Sequence, residues 1–243
     1  KVTHILRDES ISWMAVVPTM LKQLVSSYEV DKAPYSKAFK GFILGGEKTA
    51  GTLINHCHEL GLTVIRSYGM TETCSQIVAS GYEDVGSRFQ SVGKPFFSTQ
   101  LRLSEANSEI LLKTPSLTIG YLNQPDLFRK KLTADGWYKT GDVGHFDDAH
   151  YLYVDGRLDN MIISGGEHVF PEEIERAYSD VSEIDELAVT SEPDSKWGAV
   201  PVAYVVSHKT SIDVNQLKEF GRKRLAHYKV PKNFYRVEAL PKT

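Results

Sequence analysis

A strand–helix–strand pattern near the start of the chain limits the folds that it can adopt. Two short apolar runs at 41–44 and 62–65 flank a segment with helical spacing at 52–60, and glycines punctuate both junctions. This order predicts a βαβ unit, and so a parallel sheet with helices on its faces. Ligands of such sheets bind beyond the carboxyl ends of the strands, where residues 45–47 and 67–72 follow.

The sequence spacing of the apolar residues changes at two later points of the chain. Short alternating runs from about Phe97 predict a small antiparallel barrel or sheet, with strands at 100–103, 108–112, 143–146 and 151–154. After Asp159, helices are predicted at 171–178 and 214–225, with strands at 186–190, 202–206 and 234–237. We therefore predict an α/β protein with a partial parallel-sheet nucleotide-binding domain (1–96), a β-barrel subdomain (97–158) and a small mobile α/β C-terminal domain (159–243).

Charge and cysteine content exclude several classes of function. A net charge of −3 gives no strongly basic field for nucleic acid. The two cysteines, Cys57 and Cys74, show no ligand or disulfide spacing, which favours a reducing cytoplasm. No apolar run approaches the roughly 20 residues of a membrane span. His56 and His58 flank Cys57, but neighbours on a helix point in different directions, so we predict no metal site there.

Five segments carry a resemblance to a known family. They are SYGMTET (67–73), EILLKTPSLTIGYLNQP (109–125), YKTGD (138–142), GRLDNMIISGGEHVFPEEIE (156–175) and AHYKVPKNFYRVEALPKT (226–243). Their order and spacing resemble the adenylate-forming superfamily of acyl-CoA synthetases, carrier-protein adenylation domains and beetle luciferases. The resemblance implies an ATP-dependent acid–thiol ligase that uses ATP, Mg²⁺ and CoA. Within the family, GMTETCSQIV (69–78) most resembles ligases that act on o-succinylbenzoate in menaquinone synthesis.

Adenylate formation crowds negative charge at the α-phosphorus of ATP, so its site needs cations and fixed donors. By resemblance, Thr71 contacts phosphate and Glu72 holds Mg²⁺, which prefers carboxylate and phosphate oxygens. The alternative is structural: Thr71 caps a helix whose first turn contains Glu72.

The resemblance also assigns residues to the nucleotide. Tyr68 offers a ring for adenine, and the residues that line the adenine and acyl pockets are Gly45, Gly46, Glu47 and Gly69. Asp142 accepts hydrogen bonds from the ribose hydroxyls, and Arg157 reaches the ribose or a phosphate. The alternatives are a core tyrosine, turn glycines and an Asx-turn at Asp142. Arg66 replaces the amide side chain that many relatives use to read adenine, which puts that contact in doubt.

Asp159 resembles the family's hinge, about which the C-terminal body rotates between adenylation and thiol transfer. In the rotated state Gly165 and Gly166 form part of the pantetheine channel; the alternative is a β-turn. A set of basic side chains at 222–232, here called the basic set, has two interpretations: it binds the phosphates of CoA, or it is a solvated helix face. Its members are Arg222, Lys223, Arg224, His227, Lys229 and Lys232.

The ends suggest the later part of a longer enzyme. The family's phosphate loop has no counterpart before Ser67, and the sequence stops just before the position of the family's adenylation lysine. We therefore expect the 243-residue chain alone to be poorly active. Two rival functions remain: another acyl-CoA or carrier-protein-loading enzyme, and a non-catalytic nucleotide- or acyl-binding module. A homo-oligomer is compatible with either.

Overall fold

The computed structural model describes residues 1–46, 49, 51–84, 88–209 and 211–241. The helices are α1 (Val2–Asp8), α2 (Pro18–Asp31), α3 (Gly51–Glu59), α4 (Pro125–Lys130), α5 (Pro171–Tyr178) and α6 (Val214–Arg222). The first nine strands are β1 (Trp13–Val16), β2 (Gly41–Leu44), β3 (Val64–Met70), β4 (Ser75–Ala79), β5 (Lys94–Pro95), β6 (Gln100–Leu103), β7 (Glu109–Lys113), β8 (Tyr138–Phe146) and β9 (Leu152–Arg157). The remaining strands are β10 (Ile162–Ser164), β11 (Glu167–Val169), β12 (Glu186–Asp194), β13 (Gly198–Val206) and β14 (Phe234–Arg236).

The chain forms two compact units. The first contains Lys1–Thr140 and Gly144–Val154, and the second contains Gly141–Val143 and Asp155–Thr243. No helix among the described residues is long and apolar enough to cross a membrane.

A five-stranded sheet in the order β1-β2-β3-β4-β5 organises the start of the first unit. Strands β1, β2 and β3 are parallel, which confirms the parallel sheet predicted from the βαβ pattern. Glycine is required where β2 begins, because a Cβ at Gly41 would lie 2.4 Å from the carbonyl oxygen of Thr63. Side chains of α2, α3 and these strands bury a common core that includes Leu21, Phe42 and Cys57.

The predicted strand at 62–65 continues further than its apolar run. β3 extends to Met70, and its second half pairs antiparallel with β4, with a bulge between Tyr68 and Gly69. The sequence indicated a turn here because glycine interrupts the apolar pattern. Pairing with β4 keeps this stretch extended, and the bulge accommodates the irregularity.

A curled, four-stranded antiparallel sheet completes the first unit, in the order β6-β7-β8-β9. It confirms the predicted small antiparallel sheet, in the form of a half-barrel. Its core includes Ile110, Leu112 and Leu152, which are fully buried. The Thr140 hydroxyl donates to the Ile110 carbonyl at 2.8 Å and ties β8 to β7.

The second unit contains a three-stranded sheet in the order β12-β13-β14, with α5 and α6, and a separate hairpin of β10 and β11. The apolar runs of β12 and β13 predict strands, but both extend beyond them, to Asp194 and from Gly198. Helix α6 ends at Arg222, three residues earlier than predicted. Tyr178 is fully buried, and its hydroxyl donates to the Leu217 carbonyl at 3.0 Å.

Candidate functional site

A cleft of about 710 Å³ opens at the carboxyl ends of the parallel strands in the first unit. The predicted site residues that line it are Gly45, Gly46, Gly69 and Thr71, together with Ser67. The Ser67 hydroxyl donates to the Leu44 carbonyl at 3.1 Å and so joins the ends of β3 and β2. Apolar side chains from β1, β2 and α2 form another part of the wall: Val16, Val17, Met20 and Ile43. The cleft thus combines glycine backbone, a hydroxyl and an apolar wall.

Thr71 stands on a short helical turn, Thr71–Thr73, that follows β3 directly. The Thr73 side chain is buried and holds this turn: its hydroxyl accepts from the Met70 N–H at 3.1 Å and lies 2.8 Å from the Ser75 carbonyl. Cys74 closes the turn with a positive φ of 62°. The structural alternative assigned a capping role to Thr71. Thr73 has this role instead, and Thr71 faces the cleft.

Glu72 is fixed by two contacts from a later segment. Its backbone carbonyl accepts from the Thr118 N–H at 2.7 Å, and its Oε1 accepts from the Tyr121 hydroxyl at 2.5 Å. Tyr121 also lies 3.1 Å from the Tyr138 hydroxyl. Burial alone would raise the pKa of Glu72, but hydrogen bonds from Tyr121 and the backbone outweigh it, so the pKa lies below its usual value. The carboxylate is thus held in its charged form, which is the form that binds a cation.

The residues predicted around adenine and the neighbouring Arg66 occupy different surroundings. Tyr68 is half-buried and packs against the core of the half-barrel sheet. Gly69 has a structural requirement, because a Cβ there would lie 2.1 Å from the Ser75 carbonyl oxygen of β4. The Arg66 guanidinium donates to the carbonyls of Phe89 and Gln90, so it stabilises a turn. Glu47 lies outside the described residues. These adenine assignments stay predictions.

Asp142 and Arg157 meet in the second unit. Arg157 Nη1 donates to Asp142 Oδ1 at 2.9 Å, and Asp142 is only 8% exposed. β8 runs through Asp142, so this residue lies in a strand and not in a turn, and the preceding Gly141 has φ of 78°. The TGD motif is typical of a turn, but cross-strand pairing keeps this segment extended, and the ion pair with Arg157 holds the Asp142 carboxylate.

Asp159 borders a small cavity of about 410 Å³ beside α5. It lies in a short helical turn, Leu158–Asn160, directly after β9. Glu172, in the first turn of α5, accepts from Asn160 Nδ2 at 3.1 Å and from the Arg157 N–H at 3.4 Å, both on Oε1. Its Oε2 is buried and has no hydrogen-bond partner among the described residues. The connector from β9 is thus attached to α5 through one carboxylate oxygen.

Gly165 and Gly166 form the two-residue loop of the β10–β11 hairpin. Both have positive φ, 61° and 90°, as a type I′ turn requires. The Gly165 N–H donates to the Trp197 carbonyl at 2.9 Å, and a Cβ there would lie 2.6 Å from the indole. Around Gly166 there is open space. The turn interpretation is therefore confirmed, and the channel role of the pair stays a prediction.

A second cavity, of about 520 Å³, lies beside this hairpin loop within the second unit. Trp197 and Tyr228 contribute rings to its wall, and its lining includes one acidic residue, Glu167, and four basic side chains: Lys218, Arg222, His227 and Lys232. Two further members of the basic set have other contacts. Lys229 pairs with both oxygens of Glu173 at 2.8 and 2.7 Å, and the Arg224 guanidinium lies 3.7 Å from the centre of the Phe220 ring.

Asp194 anchors the turn that carries Trp197. Lys232 contacts its carboxylate, and the N–H groups of Lys196 and Trp197 donate to Oδ1 at 2.8 and 3.0 Å. The Lys232 contact first, and then these N–H groups, lower the pKa of Asp194 to about 2.

A lowered pKa in the folded state stabilises the fold above the ordinary pKa of 3.8, and this contribution is lost as the pH falls towards about 2. We therefore expect the unfolding free energy to fall less steeply between pH 4 and pH 2 in Asp194→Asn than in the wild type. Urea unfolding at a series of pH values measures both slopes. Equal slopes would contradict the assignment.

The model of the AMP-binding enzyme family matches residues 1–122, and that of the AMP-binding enzyme C-terminal domain matches 173–243. The chain belongs to the AMP-binding enzyme family. Among groups of three or more His, Cys, Asp and Glu side chains, the described residues include none that could hold a metal ion by themselves.

Similar proteins and solved structures include several o-succinylbenzoate–CoA ligases. The chain is 43% identical over 252 residues to 2-succinylbenzoate–CoA ligase of Enterococcus faecalis, covering 100% of this chain and 51% of that protein. Two structures of Bacillus subtilis o-succinylbenzoate CoA synthetase are 34% identical in sequence to this chain. The complex with the acyl-adenylate OSB-AMP has a TM-score of 0.91 and covers 99% of this chain and 50% of that one. The complex with ATP and magnesium has a TM-score of 0.89 and covers 99% and 51%. The chain spans about half the length of the relatives it matches.

Two residues of this AMP-binding chain were missed by sequence reasoning. Tyr121 lies within the motif at 109–125, and Tyr138 is the first residue of the motif YKTGD. Neither spacing shows that their hydroxyls converge on Glu72, which lies 49 residues before Tyr121. Only the folded contact reveals the cluster.

Proposed function

We propose that the protein containing this chain is an ATP-dependent acid–thiol ligase that forms an acyl adenylate and then a CoA thioester. The acid is o-succinylbenzoate, and the pathway is menaquinone synthesis. The relatives' names and the bound OSB-AMP of the B. subtilis structure support this substrate. Each half-reaction requires different chemistry, and different parts of the chain provide it.

The observation that carries the proposal is the rigid turn that presents Thr71 and Glu72 at the end of a parallel sheet, beside a glycine-lined cleft. A hydroxyl and a charged carboxylate at that position suit a magnesium nucleotide: Thr71 donates to phosphate, and Glu72 binds the cation. Mg²⁺, when bound, neutralises charge on the phosphate oxygens and so stabilises the transition state. The apolar wall of the cleft suits the aromatic part of the acid.

Asp142 and Arg157 provide the ribose contact. The guanidinium orients the Asp142 carboxylate, which is largely buried, so its acceptor oxygens have a fixed direction. A carboxylate with this orientation recognises a pair of vicinal hydroxyls through two charge-assisted hydrogen bonds. In the same proposal, the Arg157 guanidinium, a group with five N–H donors, contacts the ribose or a phosphate.

For thiol transfer, we propose that the second cavity receives the nucleotide end of CoA. Its basic side chains, which include Lys218 and Arg222, suit phosphates, and Trp197 can stack on adenine. Gly165 and Gly166 leave room for pantetheine, and Asp159 is the hinge about which residues 159–243 rotate. The three domains that we propose are therefore residues 1–96, 97–158 and 159–243. The Glu172 contacts lie directly beside this hinge.

The test uses the native full-length protein. We expect ATP–pyrophosphate exchange that depends on o-succinylbenzoate and that benzoate or succinate does not replace. Addition of CoA should then give o-succinylbenzoyl-CoA, whereas a phosphopantetheinylated carrier protein should give no thioester.

The possible outcomes separate the proposal from its rivals. Exchange with a different acid removes the substrate assignment and keeps the ligase, and carrier loading favours the adenylation-domain alternative. Absence of exchange with every acid, while ATP still binds, favours the non-catalytic module.

A further inference from the structure

Three side chains from distant parts of the first unit form one cluster: Glu72, Tyr121 and Tyr138. The Tyr121 hydroxyl lies between Glu72 Oε1, at 2.5 Å, and the Tyr138 hydroxyl, at 3.1 Å. An ionised carboxylate only accepts hydrogen bonds, and a phenol keeps its proton at neutral pH. Tyr121 must therefore donate to Glu72, which leaves its oxygen to accept from Tyr138.

Aromatic packing holds the two phenols in place. The Tyr121 ring meets Phe128 edge-on, with centroids 5.8 Å apart, and Phe128 lies 5.7 Å from the Tyr138 ring. Tyr138 is 2% exposed, and its backbone bridges to Leu132. A hydroxyl on such a packed ring has little freedom, so the direction from which Glu72 receives its hydrogen bond is fixed.

The same segment also holds the main chain of Glu72. The Thr118 N–H donates to the Glu72 carbonyl, and Tyr121 follows three residues later. Glu72 is therefore restrained at its backbone and at its carboxylate by residues 118–121. Without the Tyr121 hydroxyl, the Glu72 carboxylate would lose the hydrogen bond that ties it to this segment, and its side chain would gain rotational freedom.

We propose that Tyr121 is a positioning residue for magnesium-nucleotide binding, and that Tyr138 orients Tyr121. This inference rests on the proposed role of Glu72. By donating to Oε1, the phenol selects one rotamer of the carboxylate before any ligand arrives, so less side-chain entropy is lost when the cation binds. Neither tyrosine needs to touch the reacting atoms.

The experiment measures ATP binding to the full-length protein by calorimetry at a series of Mg²⁺ concentrations. Partners that orient a metal ligand typically change metal affinity by about 10–100-fold. We expect Tyr121→Phe to raise the Mg²⁺ concentration for half-maximal ATP affinity by roughly tenfold, and Tyr138→Phe to raise it by less. ATP affinity without Mg²⁺ should be unchanged in both variants.

Tyr235→Phe is the matched control, because it also removes a tyrosine–glutamate hydrogen bond, at 3.1 Å to Glu192 in the second unit. Its Mg²⁺ requirement should equal that of the wild type. Thermal unfolding verifies that each variant is folded; if Tyr121→Phe is not, Tyr138→Phe decides the question.

The proposal is overturned if the folded tyrosine variants at 121 and 138 keep the wild-type Mg²⁺ requirement. It is also overturned if the control changes as much as they do. A wild type that binds ATP without any Mg²⁺ dependence would instead refute the proposed role of Glu72. The two failures are thus distinguishable.

Discussion

Replacement of Glu72 by glutamine is expected to lower adenylate formation by the full-length protein by roughly 10²–10³-fold, the usual cost of removing one group that stabilises transition-state charge. Glutamine has the same shape, and its amide oxygen can still accept from Tyr121, so the turn should fold normally. What is lost is the negative charge that binds the cation. ATP–pyrophosphate exchange at saturating Mg²⁺ measures the effect.

Glu105→Gln provides the control for this substitution. Glu105 is an exposed carboxylate between β6 and β7, and its replacement removes the same charge away from the cleft. Exchange by this variant should match the wild type. If Glu72→Gln were equally active, Glu72 could not be the cation ligand, and Thr71 alone would have to account for the chemistry of the turn.

Gly93→Ala is expected to destabilise the first unit by on the order of 3–5 kcal/mol, or to prevent its folding. Gly93 has φ of 99°, and a Cβ would lie 1.9 Å from the Ala79 carbonyl oxygen and 2.1 Å from the Ser80 nitrogen. These backbone atoms cannot move freely, because β4 pairs with β5 and Gly93 bridges to Leu152. Denaturant unfolding of the full-length protein measures the loss.

Gly61→Ala separates steric overlap from backbone strain. Gly61 also has a positive φ, 72°, but nothing lies within 4 Å of a Cβ there. This variant should lose only about 1 kcal/mol, the cost of a left-handed conformation for a residue with a side chain. Equal losses at both positions would show that strain, and not contact with β4, determines the requirement for glycine at 93.

The parallel sheet was predictable because its signals are local. Apolar runs bounded by glycines specify β2 and β3, and the intervening helical spacing specifies α3. The small strands β10 and β11 were missed because three residues carry too little pattern. The Gly165–Gly166 pair between them was recognised as a possible turn, and the hairpin confirms it.

The candidate site was predictable in part. The resemblance of the motifs to the adenylate-forming superfamily pointed to Thr71, Glu72 and Asp142. Their surroundings were not predictable, because they depend on residues that are distant in sequence: Tyr121 for Glu72 and Arg157 for Asp142. Local chemistry suggested a turn at Asp142, and long-range pairing made it part of a strand.

The uneven bonding of Glu172 has a consequence for the energy of the proposed hinge. One of its oxygens accepts both hydrogen bonds from the connector, while the other is buried beside Gly156 without a described partner. A buried acceptor that lacks a partner costs about 1–3 kcal/mol. If the connector moved away from α5, this oxygen would regain water, and its rehydration would offset part of the energy of the two broken hydrogen bonds. We therefore expect departure of the connector from α5 to cost less than the loss of two hydrogen bonds.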